Sequence, residues 1–264
     1  MIRRFAQTFL AVAALCAVPY AAGAVETIPF TYENGLIKLD GSVDGRPPAP
    51  MLLDFGAGID VLSERLAPLV SLQGKYATLR LTGQRLDLPM GKIVTLQLGD
   101  ARIGDRTVGV WNGLYATRGV DGLISAEAFR DTDATVDFSA HQIVIEDAVS
   151  FPERRRTATR VPLVLQDDLG AALAVFARFD FGNGRSGLCL IDTARKDIVL
   201  DNVFQKDGVS SITLDDAPQT KMNHPPVKYD NLIYDCMVGN DFWQGRSFTL
   251  DIVNRALWVQ QQIQ

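Results

Sequence analysis

Leu52-Leu53-Asp54-Phe55-Gly56-Ala57 is matched later in the chain by Leu190-Ile191-Asp192-Thr193-Ala194-Arg195. Each stretch places an aspartate directly after two aliphatic residues. If a pseudo-two-fold axis relates the two halves of the chain, Asp54 and Asp192 come together as a paired-carboxylate site. An internal duplication of this kind decides the architecture.

The repeat extends well beyond the two aspartates. Residues 122–145 align without a gap on residues 236–259. The matched pairs are Phe129 with Trp243, Thr135 with Thr249, Asp137 with Asp251, Ile143 with Leu257, and Ile145 with Val259. Chance resemblance is the alternative, because any two β-rich segments share apolar alternation. The recurrence of aspartate, strand and turn in the same order favours a duplication.

The two copies differ in length at one place. Both open with a similar strand start, Ile28-Pro29-Phe30 and Val161-Pro162-Leu163, but the first half carries extra residues within 71–112. We expect these to form a hairpin or loop that the second half lacks. Leu79 to Leu88 is the best candidate, since it reads as strand, a Gly83-Gln84 turn, and strand.

The N-terminus has the pattern of a secretory signal peptide. Arg3 and Arg4 precede an apolar stretch from Phe9 to Val18, and Ala22-Gly23-Ala24 is a small-residue cleavage site. A membrane anchor would need about 20 apolar residues, more than this stretch supplies. We therefore predict a signal peptide over 1–24 and a periplasmic or secreted protein.

Composition and charge limit the function. The chain has 264 residues, 47% of them hydrophobic, which allows a sizeable core in one or two domains. Its formal net charge of −5 becomes more negative once the signal is removed. This balance argues against nucleic acid and, after signal cleavage, against a membrane as partner.

The cysteines and histidines give no metal site or nucleophile. Cys16 leaves with the signal, so Cys189 and Cys236 remain as a disulfide or as two buried thiols. Neither has the neighbours that zinc requires. His141 in a turn and His224 before two prolines are expected at the surface rather than in a catalytic triad.

Secondary structure is predicted to be mostly strand, with two matching hairpins. Helical signals are short, with the capping residues Ser63, Ser125, Asp201 and Asn240. Residues 148–160 read as an interlobe linker whose arginines are solvated. The predicted divisions are 25–147 for the N-terminal lobe and 161–264 for the C-terminal lobe.

These features resemble the retropepsin-type aspartic proteases, over nearly all of residues 26–260. The family pattern is two hydrophobic residues followed by Asp-Thr-Gly-Ala, and later a Gly-hydrophobic-hydrophobic-Gly segment leading to a short helix and a strand ending in Asp. The second element is similar to Gly122-Leu123-Ile124-Ser125 through Asp137, and to Cys236-Met237-Val238-Gly239 through Asp251. The whole looks like a single-chain, exported bacterial protein made of two such units.

The resemblance implies an all-β fold of two pseudo-symmetric, pepsin-like β-barrel lobes with short helices. Asp54 and Asp192 would be the catalytic residues, sharing a proton and holding a water, with interchangeable roles until substrate binds. Hydrolysis would need neither a metal nor a cofactor. A monomer would bind an extended peptide or protein substrate in the interlobe cleft, beneath a flap formed by the first-half insertion.

The chain departs from the family pattern around the proposed site. In the first copy, Phe55 stands where the family pattern has threonine. Thr193 could therefore form at most half of the hydrogen-bonded clamp that the family uses. Ala194 replaces the glycine equivalent to Gly56, and its methyl group is tolerated only without a positive φ. Arg195 brings a cation that favours two ionised carboxylates.

The supporting segments depart as well, since Ser125 stands where the second copy keeps Gly239. Three interpretations follow. The chain is an endopeptidase with a modified dyad, a catalytically degenerate peptide-binding protein of the same fold, or a protein in which Asp54 and Asp192 are ordinary loop carboxylates.

Overall fold

The computed structural model describes residues 25–168 and 170–260. The predicted signal peptide, residues 1–24, lies outside them. Within the described residues, no helix is both long and apolar enough to cross a membrane.

Strands dominate the first half of the chain. They are β1 (Glu26–Pro29), β2 (Thr31–Glu33), β3 (Leu36–Val43), β4 (Ala49–Leu53), β5 (Asp60–Ser63), β6 (Ser71–Leu79), β7 (Arg85–Ile93), β8 (Leu96–Leu98), β9 (Ala101–Ile103), β10 (Arg106–Trp111), β11 (Gly122–Ile124), β12 (Asp133–Asp137) and β13 (Gln142–Ile145). The helices are the α-helix α1 (Leu114–Arg118) and 3-10 turns at Ala67–Leu69 and Ala126–Phe129.

The second half is built in the same way. Its strands are β14 (Ala158–Pro162), β15 (Val164–Asp167), β16 (Leu173–Asp180), β17 (Ser186–Ile191), β18 (Ile198–Asp201), β19 (Ser211–Leu214), β20 (Met222–Asn223), β21 (Val227–Asp230), β22 (Cys236–Val238), β23 (Ser247–Asp251) and β24 (Ala256–Gln260). Its helices are α2 (Ser150–Arg155), α3 (Asn240–Trp243) and 3-10 turns at Asn202–Phe204 and Pro218–Thr220.

The described strands form three sheets. A ten-stranded sheet of β2 to β11 is the first lobe, and an eight-stranded sheet of β15 to β22 is the second lobe. Between them lies a six-stranded sheet in the order β1-β13-β12-β23-β24-β14. The prediction of an all-β, bilobal fold with short helices is confirmed.

The six-stranded sheet contains the pseudo-two-fold axis. Its central strands β12 and β23 are copies of each other and pair antiparallel, with Thr135 opposite Thr249. These two threonines are fully buried, lie 114 residues apart, and their hydroxyl oxygens are 2.6 Å apart in a hydrogen bond. Strands β1 and β14, which open the two copies, form the two edges of the same sheet.

Each lobe inserts a later strand between two earlier ones. In the first lobe β11 lies between β4, to which it is parallel, and β5, to which it is antiparallel. In the second lobe β22 lies in the same way between β17 and β18. The chain leaves β4 and β17 beside this inserted strand, and the first residue after each is an aspartate.

Apolar burial holds the three sheets together. A single core cluster runs through both lobes and the six-stranded sheet, and it includes Phe55, Trp243 and Phe248. Trp243 packs on Phe248 with ring centroids 4.5 Å apart. Fully burying such side chains contributes roughly 2–3 kcal/mol each, so this cluster fixes how the lobes meet.

The first-half insertion is a hairpin within the predicted window of 71–112, and it is longer than the stretch from Leu79 to Leu88 that the sequence favoured. Strand β6 starts at Ser71 and pairs with β7 over its whole length. The turn is closed by two hydrogen bonds, from the N–H of Arg80 to the carbonyl of Gln84 and from the N–H of Gly83 to the carbonyl of Arg80. We call β6, β7 and this turn the flap hairpin.

The predicted linker, 148–160, is more ordered than a connecting segment. It contains α2 and the start of β14, which pairs with β24. Its arginines are not simply solvated. Arg154 forms an ion pair with the buried Glu146, and Arg155 lies over the rings of Phe151 and Trp258.

Two predicted helix caps do not form as expected. Ser63 accepts from the N–H of Arg65 at 3.2 Å, as a cap does, but its hydroxyl donates to Asp121, 2.7 Å away, and only a 3-10 turn at Ala67–Leu69 follows instead of the helix predicted from Glu64. Asn240 is the first residue of α3 rather than its cap, which is Gly239. Ser125 and Asp201 do cap the short 3-10 turns that follow them.

Candidate active site

The structure places Asp54 and Asp192 at equivalent points of the two lobes. Asp54 follows β4 and donates its backbone N–H to the carbonyl of Ile124 in β11, at 2.7 Å. Asp192 follows β17 and donates to the carbonyl of Val238 in β22, at 3.1 Å. The inserted strand therefore fixes the start of each aspartate loop.

The two loops meet face to face. A Cβ placed on Gly56 would lie 2.8 Å from Cγ of Asp192, so only glycine allows the first loop to approach the second carboxylate this closely. Neither Gly56 nor Ala194 has a positive φ. The extra methyl of Ala194 therefore carries no backbone strain, and this departure from the family pattern is tolerated.

Both carboxylates line a cavity of about 560 Å³ between the lobes. Burial, and next the charge of Asp192, raise the pKa of Asp54 to about 7. Burial is also the largest influence on Asp192, whose pKa is raised. Two carboxyl groups that oppose each other's ionisation retain a proton near neutral pH, as a general acid requires.

Arg195 makes the site asymmetric. Its Nε lies 3.3 Å from Oδ2 of Asp192, and its charge opposes the rise in the pKa of that carboxyl group. The corresponding loop of the first copy, Gly56-Ala57-Gly58, contains no cation. The proton is therefore favoured on Asp54 and the negative charge on Asp192.

Thr193 forms one half of a clamp between the loops. Its hydroxyl donates to the carbonyl of Leu53 at 3.0 Å and accepts from the backbone N–H of Phe55 at 2.9 Å. Phe55 instead packs in the core against Phe129 and Phe248. The first loop is thus anchored by an apolar side chain and the second by a hydroxyl.

We expect Thr193→Val to lower the free energy of unfolding by about 3 kcal/mol, because it leaves a buried N–H and a buried carbonyl without a partner. Urea unfolding monitored by circular dichroism measures the change. Thr193→Ser keeps the hydroxyl and is the matched control. Equal stability of the valine and serine variants would contradict the clamp.

The two supporting segments act differently in the two lobes. Ser125 donates its hydroxyl and its backbone N–H to the buried carboxylate of Asp60, at 2.9 and 2.8 Å. Arg106 satisfies the other oxygen of Asp60 at 3.1 Å. A Cβ on Gly239 would lie 2.7 Å from the carbonyl oxygens of Arg195 and Lys196. A hydroxyl network thus supports the first loop, and close backbone packing supports the second.

Three residues of the site were missed by sequence reasoning. Asn240 donates its side-chain amide to the carbonyls of Thr193 and Gly35, at 2.6 and 2.8 Å. Asp60 anchors Ser125, as described above. Arg118 lines the cavity, and its charge lowers the pKa of both Asp54 and Asp192. The duplication carries no signal for any of them, since each lacks an identical counterpart.

The flap hairpin covers the cavity and touches the other lobe. Its turn accepts a hydrogen bond at the carbonyl of Leu81 from the N–H of Ile233, at 3.0 Å. The side chain of Leu81 packs on the second-lobe cluster that contains Phe176 and Leu190. A second cavity of about 470 Å³ is lined by the same hairpin and shares Gly56 and Tyr76 with the first.

The structure joins Cys189 and Cys236 in a disulfide between β17 and β22. The bond joins the two strands that position the second aspartate loop, because Asp192 directly follows β17 and its backbone N–H donates to a carbonyl of β22. Within residues 25–168 and 170–260, no group of three or more His, Cys, Asp or Glu side chains is placed to hold a metal ion.

Solved structures with the same arrangement exist. The fold is pepsin-like. An aspartic proteinase from Irpex lacteus aligns with a TM-score of 0.59 at 11% identity, covering 91% of this chain and 98% of its own. Basic 7S globulin from soybean aligns at 0.55 and 12% identity, covering 90% and 95%. Conglutin gamma, a basic 7S globulin from lupine seeds, aligns at 0.59 and 10%, covering 89% and 94%.

Sequence comparison adds nothing to this likeness. No protein-family profile matches the chain, and no curated protein matches it in sequence. At 10–12% identity the pepsin-like neighbours establish the fold alone. The retropepsin-type family and the bacterial, exported origin that the sequence suggested therefore stay predictions.

Proposed function

We propose that this protein is an aspartic-type endopeptidase that hydrolyses peptide bonds with a water held between Asp54 and Asp192. The observation that carries the proposal is the pair of carboxyl groups, one from each lobe, that line one cavity and whose pKa values are both raised; Asp192 is buried and Asp54 partly buried. Loop carboxylates that merely cap local amides would not converge from two lobes in one cavity. An aspartic proteinase among the structural neighbours supports the same conclusion.

The asymmetry of the site assigns the roles. Asp192, which Arg195 favours as an anion, removes a proton from the water as its oxygen attacks the scissile carbonyl carbon. Asp54 gives its proton to the carbonyl oxygen, which yields a tetrahedral diol. Asp192 then passes its proton to the leaving nitrogen, Asp54 recovers one from a diol hydroxyl, and the C–N bond breaks. Both carboxyl groups end as they began.

An extended peptide is the substrate that suits this cleft. The flap hairpin lines both cavities, and the two cavities share Gly56 beside the dyad. A chain that crosses the dyad would fill both and could pair its backbone with the hairpin. The hairpin contact between Leu81 and Ile233 must open before a continuous chain can enter. Since both aspartates belong to one chain, a monomer has the complete site.

Export is part of the proposal. The N-terminal pattern of residues 1–24 suggests a signal peptide, and the Cys189–Cys236 disulfide is typical of an oxidising compartment. Expression with the full N-terminus in a bacterial host, followed by intact-mass measurement of the periplasmic fraction, tests it. A mature chain beginning at Val25 is the expected product, and an uncleaved cytoplasmic chain would contradict it.

The experiment that tests the hydrolase is digestion of a diverse peptide mixture at pH 3 to 8, with products identified by mass spectrometry. New internal cuts are expected at acidic to neutral pH. The second candidate is a peptide-binding protein without hydrolysis, which the Arg195–Asp192 ion pair favours because it stabilises a charged dyad. Peptide retention on the folded protein without any cut at any pH would establish that candidate instead.

The pH profile should depend on Arg195. Its cation lowers the pKa of Asp192, so Arg195→Gln should raise the pKa of the dyad. Activity requires one shared proton and is lost as pH rises through the dyad's upper pKa. We therefore expect the alkaline limb of kcat/KM to move to higher pH in Arg195→Gln. Arg195→Lys, which keeps the charge, should retain the wild-type limb. A glutamine variant with an unshifted limb would contradict the assignment of charge to Asp192.

A further inference from the structure

The cavity that holds the dyad is rich in cations, although the protein as a whole is acidic. Its walls carry four cationic side chains, Arg80, Arg118, Arg195 and Lys196, and three carboxyl groups, Asp54, Asp192 and Asp197. The chain has a formal net charge of −5. A positive cleft in an acidic protein indicates which charge its ligand carries.

Ion pairs within the protein neutralise two of the three carboxyl groups in the cavity wall but only one of its four cations. Asp192 pairs with Arg195 at 3.3 Å, and Asp197 pairs with Lys228 at 2.6 Å. Asp54 is the dyad member on which the shared proton is favoured. Among the ion pairs of the described residues, none involves Arg80, Arg118 or Lys196. Arg80 lies over the ring of Trp111, 5.6 Å from its centroid, but none of the three has a carboxylate partner, so a ligand carboxylate can pair with them.

Arg118 is the best placed of the three. It is the last residue of α1, whose Leu114 is fully buried and whose preceding Gly113 donates its N–H to Glu64 at 2.9 Å. Arg65 lies 4.1 Å over the ring of Tyr115 in the same helix. The helix is thus fixed to the lobe while Arg118 itself is exposed. Arg118 lines the cavity that holds both Asp54 and Asp192, and its charge lowers the pKa of both carboxyl groups.

We propose that Arg118, with Lys196 as a second cation in the wall of the same cavity, binds an acidic side chain of the peptide substrate and so determines the cleavage specificity. This inference rests on the proposed hydrolase function for its position relative to the cut, but not for the binding itself. A guanidinium binds a carboxylate through two parallel hydrogen bonds, which an amide cannot match.

The lining of the second cavity indicates on which side of the scissile bond the acidic residue of the peptide binds. The second cavity is lined by Asp167 and Asp168 and by none of the four cations. Asp167 is paired with Arg130 at 2.6 Å, whereas Asp168 has no ion pair among the described residues. The preference for acid should therefore appear on one side of the scissile bond, not as a preference for net negative charge.

Substrate binding would also adjust the dyad. Arg118 lowers the pKa of both Asp54 and Asp192. A substrate carboxylate paired with Arg118 offsets that charge and favours the shared proton. The alkaline limb of kcat should therefore lie at higher pH for an acidic peptide than for its amide counterpart, a readout that a purely structural role of Arg118 would not produce.

The test uses pairs of peptides that differ only in Asp against Asn, or Glu against Gln, at each position around the cut. Wild type should prefer the acidic member by about tenfold in kcat/KM at one position, the size expected of a charge-assisted hydrogen bond. Arg118→Gln should bring the ratio to within about twofold of one, and Arg118→Glu should favour the amide. Arg102→Gln, which removes an exposed cation outside the cavity, is the matched control and should keep the wild-type ratio.

Failure of the inference and failure of the proposed function give different results. Cleavage without any acidic preference, or a preference that survives in Arg118→Gln, overturns the inference and leaves the hydrolase intact. If wild type cuts no peptide, the hydrolase fails, and fluorescence anisotropy of labelled acidic and amide peptides on Asp54→Asn tests the binding alone. Tighter binding of the acidic peptide that Arg118→Gln abolishes supports the inference, and equal affinities overturn it.

Discussion

Asp54→Asn and Asp192→Asn should each reduce peptide hydrolysis by about 10³-fold or more while the protein stays folded. In the proposed mechanism each substitution removes a group that both gives and takes a proton, and general acid–base catalysis of this kind contributes about 10²–10⁴-fold. The two losses should not add in the double variant, because the carboxyl groups act as one unit. Initial rates on a peptide identified in the digestion experiment measure the effect.

The stability of the same variants separates a catalytic from a structural role. Burial and the charge of Asp192 raise the pKa of Asp54 to about 7, above the value for an unfolded chain. Its ionisation in the folded state is therefore unfavourable, and the stability it contributes is present at low pH and lost as pH rises through about 7. Asp54→Asn should have a higher Tm than wild type at pH 8 and a smaller advantage at pH 5.

Asp87→Asn is the control for both measurements. Asp87 lies on the outer part of the flap hairpin, pairs with Arg85 at 2.9 Å, and does not line either cavity. It should keep its rate and its Tm. Residual hydrolysis above a tenth of the wild-type rate in Asp54→Asn or Asp192→Asn would contradict the shared-proton mechanism and favour the binding protein.

The duplication could be read from the sequence because both copies kept the residues at the symmetry axis. Thr135 and Thr249 matched in the alignment, and in the structure they face each other across the central sheet. If a two-fold axis relates the two copies and passes between β12 and β23, equivalent residues of these two strands lie opposite each other. The positions of Asp54 and Asp192 follow from the same symmetry, because each comes directly after the strand that flanks the inserted one.

The residues that make the two loops different could not be predicted in this way. The amide of Asn240 bonds to the carbonyl of Gly35, 205 residues away, and no local pattern encodes such a contact. Arg118 enters the site from a helix without a counterpart in the second half. Ser63 illustrates the opposite error, since its hydroxyl has the chemistry of a helix cap but donates to the distant Asp121. The same hydroxyl also accepts from the N–H of Arg65 at 3.2 Å, as a cap does, but no helix starts at Glu64.

Replacing both Cys189 and Cys236 by alanine should lower the free energy of unfolding by about 4 kcal/mol. The bond closes a loop with a sequence separation of 47 residues, and the loss of loop entropy from the unfolded chain gives this value in the chain-entropy model. For a chain of this size Tm should fall by roughly 10 °C. Differential scanning calorimetry and urea unfolding measure the two quantities.

The double alanine substitution should lower the rate of hydrolysis only by disturbing the loop that holds Asp192. Both cysteines are fully buried, in the strands that position the second aspartate loop, while the first loop depends on β4 and β11. Activity should therefore be lost on heating before the first lobe unfolds. Wild type refolded with a reducing agent keeps both sulfur atoms without the bond, and it separates the cross-link from the packing lost in alanine. If the reduced wild type unfolds at the temperature of the oxidised protein, the disulfide does not stabilise this site, and the second loop is held by its strands and by Asn240.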